Sequence, residues 1–197
     1  MASISRDRFT TVGSLWEGGY REIDGKLWGP KGEQLNLFMR LPELAGEEVE
    51  VAAEEVTEDP KLVAELHRHG WRVEHSGEVV NTADAYRDYV QGSAGEFSCA
   101  KGIYVGTQCG WFSDRSACYL AAGRPVVVQD TGIGEHLPMG VGLFAVKDVD
   151  EAAEAIRAIR ADYPRHSAAA RRIAADHFAA ERALRPLVDA IGVAPRA

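Results

Sequence analysis

The chain has 197 residues, 46% of them hydrophobic and 26% charged, with 22 basic against 30 acidic side chains and a formal charge of −8. That apolar share sustains one α/β core, while no run reaches the ~18 apolar residues that cross a bilayer, and the acid excess excludes bulk binding to nucleic-acid phosphates. Met1 to Thr10 carries Arg6, Asp7 and Arg8 without the apolar stretch of a secretory leader, so a cytoplasmic location is expected.

Phe9 to Leu15 is rich in β-formers and stops at Glu17-Gly18-Gly19, which predicts a first strand and a glycine-rich loop. Tyr20 to Trp28 brackets Asp24-Gly25, the favoured type I′ pair, and predicts a small β-hairpin inserted within residues 15–30. Leu35, Phe38, Met39 and Leu41 share a helical face over Gly32 to Leu44, with Pro42 near its end. Strands and helices then alternate. Strands are expected at Val49 to Ala53, Trp71 to Val73, either Phe97 to Ala100 or Ile103 to Val105, Pro125 to Gln129, and Leu143 to Val146. Helices are expected at Pro60 to Arg68, from the Thr82 cap to Val90, and at Ser113 to Ala122. Residues 151–192 read as a helical tail, broken at Pro164 and ending on a stripe of Leu184, Leu187, Val188 and Ile191. The pattern predicts a single Rossmann-like α/β/α domain over 1–197, with a mostly parallel sheet of about six strands.

Cys99, Cys109 and Cys118 are odd in number and lie among apolar and glycine residues, so buried free thiols are expected. His67 and His69 point to different sides of a helix and make a poor metal pair. His136 lacks a nucleophile partner, Gly13 to Gly19 is no dinucleotide fingerprint, and no Walker loop occurs. No metal or cofactor is expected. Eight acidic residues and no basic one fall between Glu43 and Asp59. They read either as a solvated face or as a surface whose positive partner lies on another domain or chain.

Ligands of open parallel sheets bind at the carboxyl ends of the strands. Gly110-Trp-Phe-Ser-Asp-Arg-Ser116 is a glycine-led loop entering a helix, whose free N–H groups suit an anion. Arg115 offers a bidentate contact there, and Ser113 and Ser116 offer hydroxyls. The same residues also read as an ordinary capped helix, with Ser113 or Asp114 as the cap. Gln129-Asp130-Thr131-Gly132 leaves the fifth strand either to hold sugar hydroxyls or simply to shape a turn. Lys31, opening the first long helix at Gly32, and Lys101, just beyond the fourth strand, matter if they converge on the same cleft.

The stretch from Gly110 through Arg115, Gly123-Arg-Pro-Val-Val-Val-Gln-Asp-Thr-Gly132, Glu135 and Leu143 resembles the C-terminal, nucleotide-sugar-binding domain of GT-B fold glycosyltransferases. Lys31-Gly32 is similar to that family's phosphate-binding Lys-Gly. The resemblance implies a UDP-, GDP- or dTDP-sugar donor, its diphosphate over Gly110 to Ser116 and its sugar near Gln129 to Thr131. Many retaining members carry two glutamates where this chain has Gly110 and Cys118, which leaves Asp114 and Asp130 as the candidates to replace them. Members also have an N-terminal acceptor domain. The resemblance therefore implies a glycosyltransferase of hexosyltransferase type that is competent only with that domain or a partner protein. The alternative is a non-catalytic interaction or regulatory module that keeps the fold and docks through its acidic face.

Overall fold

The structure, a computed structural model, describes residues 4–192 of the expected 1–197 span; residues 1–3 and 193–197 lie outside the described residues. The chain forms β1 (Arg6–Val12), the antiparallel hairpin of β2 (Arg21–Ile23) and β3 (Lys26–Trp28), then β4 (Val49–Ala52), β5 (Trp71–Glu74), β6 (Ser93–Ser98), β7 (Val126–Gln129) and β8 (Leu143–Val146). Six strands make one parallel sheet in the order β5-β4-β1-β6-β7-β8. Parallel neighbours need crossovers, which here are mostly helices, so both faces are covered. The chain winds outward from β1 through β4 to β5, then returns to the other side of β1 and winds out through β6 and β7 to β8. The order of winding reverses between β1 and β6, and a crevice opens at their carboxyl ends.

Register divides the faces. Phe9, Val49, Val51, Phe97 and Val127 pack against Leu35, Phe38, Leu66, Ile156 and Ile159. Val126, Val128 and Leu143 meet Val90, Tyr119, Leu120 and Ile173 on the other face. Each such large side chain contributes about 1.5–3 kcal/mol on full burial. Along the middle of this second face the sheet is polar. Thr10 hydrogen-bonds Ser93 at 2.8 Å and Tyr119 at 2.6 Å, between the fully buried Glu50 and Glu96 that flank it in register.

Several elements differ from the sequence expectation, each for a local reason. The fourth strand of the sheet is Ser93–Ser98, and Ile103 to Val105 lies in the helix Gly102–Thr107. Its Ser-Ala-Gly-Glu start carries little β-signal because Gly95 lies where the chain is tightest: a Cβ there would stand 2.7 Å from the Pro125 carbonyl. Pro42 begins a second helix, Leu41–Ala45, after Lys31–Leu37, and Pro164 opens Tyr163–Ile173. Proline fits the first helical turn because the N–H it lacks would have no partner there. The terminal stripe lies on the short helices Ala180–Ala183 and Arg185–Ala190, where Leu184, Leu187 and Ile191 are exposed. Asp24 and Gly25 both have positive φ, 53° and 72°, as a type I′ turn requires. All three cysteines are free, but only Cys99 is buried.

The first half of the acidic segment finds its counter-charges within the chain. Glu43 meets Arg40 and His69, Glu47 meets Arg160 Nε at 2.9 Å, Glu48 meets Arg8 at 3.0 Å, and Glu50 meets Arg8 at 3.3 Å and Arg6 at 3.6 Å. Of the two readings of that segment, the one that puts its positive partner on another domain or chain does not hold for these four residues.

Candidate functional site

The cleft at the β1–β6 crevice has a volume of about 690 Å³, within the range of small-molecule sites. Its walls come from the ends of three strands. After β1 the chain turns through Gly13, with φ of 145°, and Gly18, with φ of 86°, conformations that favour glycine. Both glycines also permit close approach: an added Cβ would stand 3.1 Å from Arg115 Nη1 at Gly13 and 3.0 Å from Lys101 Nζ at Gly18.

Arg115 stands at the reversal point itself. Its Nε donates to Glu96 at 2.7 Å, Nη1 donates to the Val12 carbonyl at 2.8 Å, and Nη2 donates to Ser98 Oγ. The guanidinium thus ties β1 to β6 while still lining the cleft. Lys31, first residue of its helix, has no carboxylate within ion-pair distance among the described residues, and neither has Lys101. Burial, reinforced by Arg115 and Lys101, holds the Lys31 ammonium below the usual lysine pKa. Burial also pushes the neighbouring Cys99 thiol up to about 12 against the pull of Lys31 and Arg115, so it stays protonated.

The loop at 110–116 is built from behind. Gly110 N–H donates to the Thr131 carbonyl at 2.7 Å, and Thr131 Oγ1 donates to the Trp111 carbonyl at 2.7 Å. Asp130 accepts from Gly132 N–H at 2.9 Å, and Gly132, with φ of 84°, leaves room for the Gln108 carbonyl. Gln129 is buried, accepting from Ala100 N–H at 3.1 Å and donating to Gln34 at 2.8 Å. Ser113 occupies the N-cap of Asp114–Ala121 without a side-chain cap bond, and Asp114 Oδ1 accepts from Arg115 N–H at 2.8 Å. Ser116 is fully buried, and its hydroxyl has no hydrogen-bond partner among the described residues.

Of the residues expected from sequence, Lys31, Ser113, Asp114 and Arg115 therefore line one cleft, with Lys101 at its rim beside Gly18. Gly110, Gln129, Asp130, Thr131 and Gly132 stand behind it as support, and Ser116 belongs to the core. Sequence reasoning missed the facing wall, Glu54, Glu55 and Glu58, with Ser14 hydrogen-bonded to Glu55. The signal was present, because these glutamates follow directly on β4 at a strand's carboxyl end. It also missed Tyr86, whose hydroxyl burial pushes up to about 12, and Trp111.

Among the described residues, no helix is long and apolar enough to cross a membrane. Neither a protein-family model nor a curated protein sequence matches the chain. Among solved structures it is similar to Anabaena Alr3699/HepE in complex with UDP and glucose, at 14% identity and a TM-score of 0.56, over 94% of this chain and 48% of that one. The complex of HepE with UDP-glucose matches at 14% identity and a TM-score of 0.56, over 93% and 48%. AviGT4, a glycosyltransferase involved in avilamycin A biosynthesis, matches at 15% identity and a TM-score of 0.52, over 96% of this chain and 53% of its own. This chain spans about half the length of those structures. Its fold is that of one half of a GT-B glycosyltransferase.

Proposed function

We propose that the cleft binds the diphosphate of a nucleotide-sugar donor, with Lys31 and Arg115 facing the phosphates and Lys101 adding its field from the rim. The observation that carries this reading is the convergence of three cations on the point where the sheet reverses, two of them without carboxylate partners among the described residues. A half-buried ammonium with no counter-charge is stabilised by an arriving anion far more than a solvated one. The UDP and UDP-glucose complexes of the similar structure support a nucleotide diphosphate as that anion.

On this reading the chain is the C-terminal, donor-binding half of a cytoplasmic, hexosyltransferase-type enzyme. Fixed cations beside the departing diphosphate stabilise its growing negative charge. Transfer requires an acceptor held in line, which is the task of an N-terminal domain or a partner chain. Gln129 to Gly132 act on the donor indirectly, by holding the loop at Gly110 and Trp111. The alternative, an interaction module docking through the acidic segment, has less support, because Glu43, Glu47, Glu48 and Glu50 are already paired within the chain. Calorimetric titration with UDP-, GDP- and dTDP-sugars tests the reading. Saturable binding by one of them, weakened in Lys31→Met, is the expected result; binding by none, or binding indifferent to Lys31, would sink it.

A further inference from the structure

Trp111 lies on the cleft wall between a stacking partner and a cation. Its ring stacks on Tyr104, with centroids 4.9 Å apart and planes 21° apart, and Lys31 Nζ stands over it at 5.7 Å from the centroid. Its backbone is fixed through Thr131, which binds the Trp111 carbonyl and accepts the neighbouring Gly110 N–H. The ring is therefore held by the Gly102–Thr107 helix on which Tyr104 sits and by the turn after β7.

Lys31 needs such a hold. Arg115 and Lys101 repel its ammonium, the attraction of Glu96, which is hydrogen-bonded to Arg115, does not offset them, and the Cys99 thiol is neutral. Glu54 and Glu55 stand on the facing wall, beyond ion-pair distance. A long, flexible side chain under that repulsion would swing toward water. We infer that Trp111 is a positioning residue, whose ring face holds the Lys31 ammonium in the cleft by a cation–π contact and so presents it to an incoming phosphate. The negative face of an aromatic ring attracts a cation from up to about 6 Å. Unlike a carboxylate, it adds no formal charge, so Lys31 is placed without being neutralised. The inference rests on the anion-binding reading of the cleft.

Two measurements on the full chain test it separately. The first reads the contact in the free protein: carbon–proton NMR of the lysine ε-CH₂ groups, with Lys31 assigned by its Met variant. The ring current should shift the Lys31 ε-protons upfield, and Trp111→Leu should return them to the ordinary lysine position. The second titrates UDP as the probe. Trp111→Leu should weaken it several-fold, whereas Trp111→Phe, which keeps a ring face and guards against a folding artefact, should retain most of the affinity. An unshifted Lys31 in the wild-type chain overturns the inference. So does equal UDP affinity in wild type and Trp111→Leu while Lys31→Met still weakens binding, and that result leaves the anion-site reading standing. Failure of the wild-type chain to bind UDP overturns the anion-site reading, and this inference falls with it.

Discussion

The fold treats the acidic flank from Glu43 to Glu50 and the cations at the end of β1, which share their cleft with Glu54, Glu55 and Glu58, in opposite ways. Each acid of the flank meets an arginine or a histidine of the same chain. In the crevice, Arg115 meets the buried Glu96, but Lys31 and Lys101 meet no carboxylate among the described residues. A paired charge belongs to the architecture, because its partner already offsets what desolvation costs. A half-buried charge without a partner is a standing cost, which the protein recovers only when something else brings the counter-charge. The comparison separates two cations that look alike in sequence: Arg115 is first a tie between strands, and Lys31 is the cation left available.

The largest expected effect breaks that separation where it is most exposed to test. Glu96 is fully buried and the Arg115 side chain is 10% exposed, so Glu96→Ala leaves a guanidinium uncompensated in the interior. The cost should be about 3–5 kcal/mol in urea denaturation, as for other buried pairs that lose one member. Glu96→Ala combined with Arg115→Met should recover part of it, since no orphaned charge remains. A cost below about 1 kcal/mol for Glu96→Ala would mean that Arg115 is not architectural, and the contrast with Lys31 would collapse.

Lys31→Met is the converse experiment. Stability should stay level or rise slightly, because a desolvated and repelled ammonium is replaced by an apolar chain of similar length. Affinity for the nucleotide-sugar should fall by about 10- to 100-fold, the worth of one charge-assisted hydrogen bond of about 1.5–3 kcal/mol. Calorimetry beside thermal unfolding reads both in one preparation. A variant that loses stability and keeps its affinity would reverse the assignment.

How much of this was legible in the sequence follows from the range of the interactions involved. The hairpin at Asp24-Gly25, the Thr82 cap and the strand at β7 rest on neighbours along the chain, and each is where local pattern puts it. β6 was half hidden because Gly95 and Glu96 are chosen by contacts with Pro125 and Arg115, far off in sequence. The cleft's place at the strand ends and its Lys31 and Arg115 were readable from topology and charge. The partners were not: nothing local distinguishes an arginine that faces solvent from one that binds Val12, Glu96 and Ser98. Gln129 and Thr131 show the same limit, since their donors and acceptors are spent on Ala100, Gln34, Gly110 and Trp111, all supplied by other segments.

A pH series sharpens the contrast, because folding and binding should respond with opposite signs. In the folded chain burial, with help from Arg115 and Lys101, lowers the Lys31 pKa from 10.5. Between that lowered value and 10.5 the unfolded chain binds more protons at this site, so the Lys31 contribution to stability rises with pH there. Below the window the ammonium is charged in both states and its full penalty applies. Donor binding needs the ammonium and should weaken across the same window. Following unfolding and affinity together in wild type and Lys31→Met isolates the residue. If wild type and variant respond in parallel, the lowered pKa is not Lys31's doing.

The smallest effect belongs to the outer part of the acidic flank, and its smallness is what the comparison demands. Glu48 pairs with Arg8 at 3.0 Å, but its side chain is 60% exposed. Water screens such a pair and two long side chains lose freedom in making it, so Glu48→Gln should cost only about 0.2–1 kcal/mol. Arg8 would keep its contact with the buried Glu50, and the cleft lies on other residues, so donor affinity should not move. Urea denaturation and calorimetry on this variant set the baseline for the other two. A loss of donor affinity here would show that the flank's field reaches the crevice, and that paired and unpaired charges in this protein are less independent than their partners suggest.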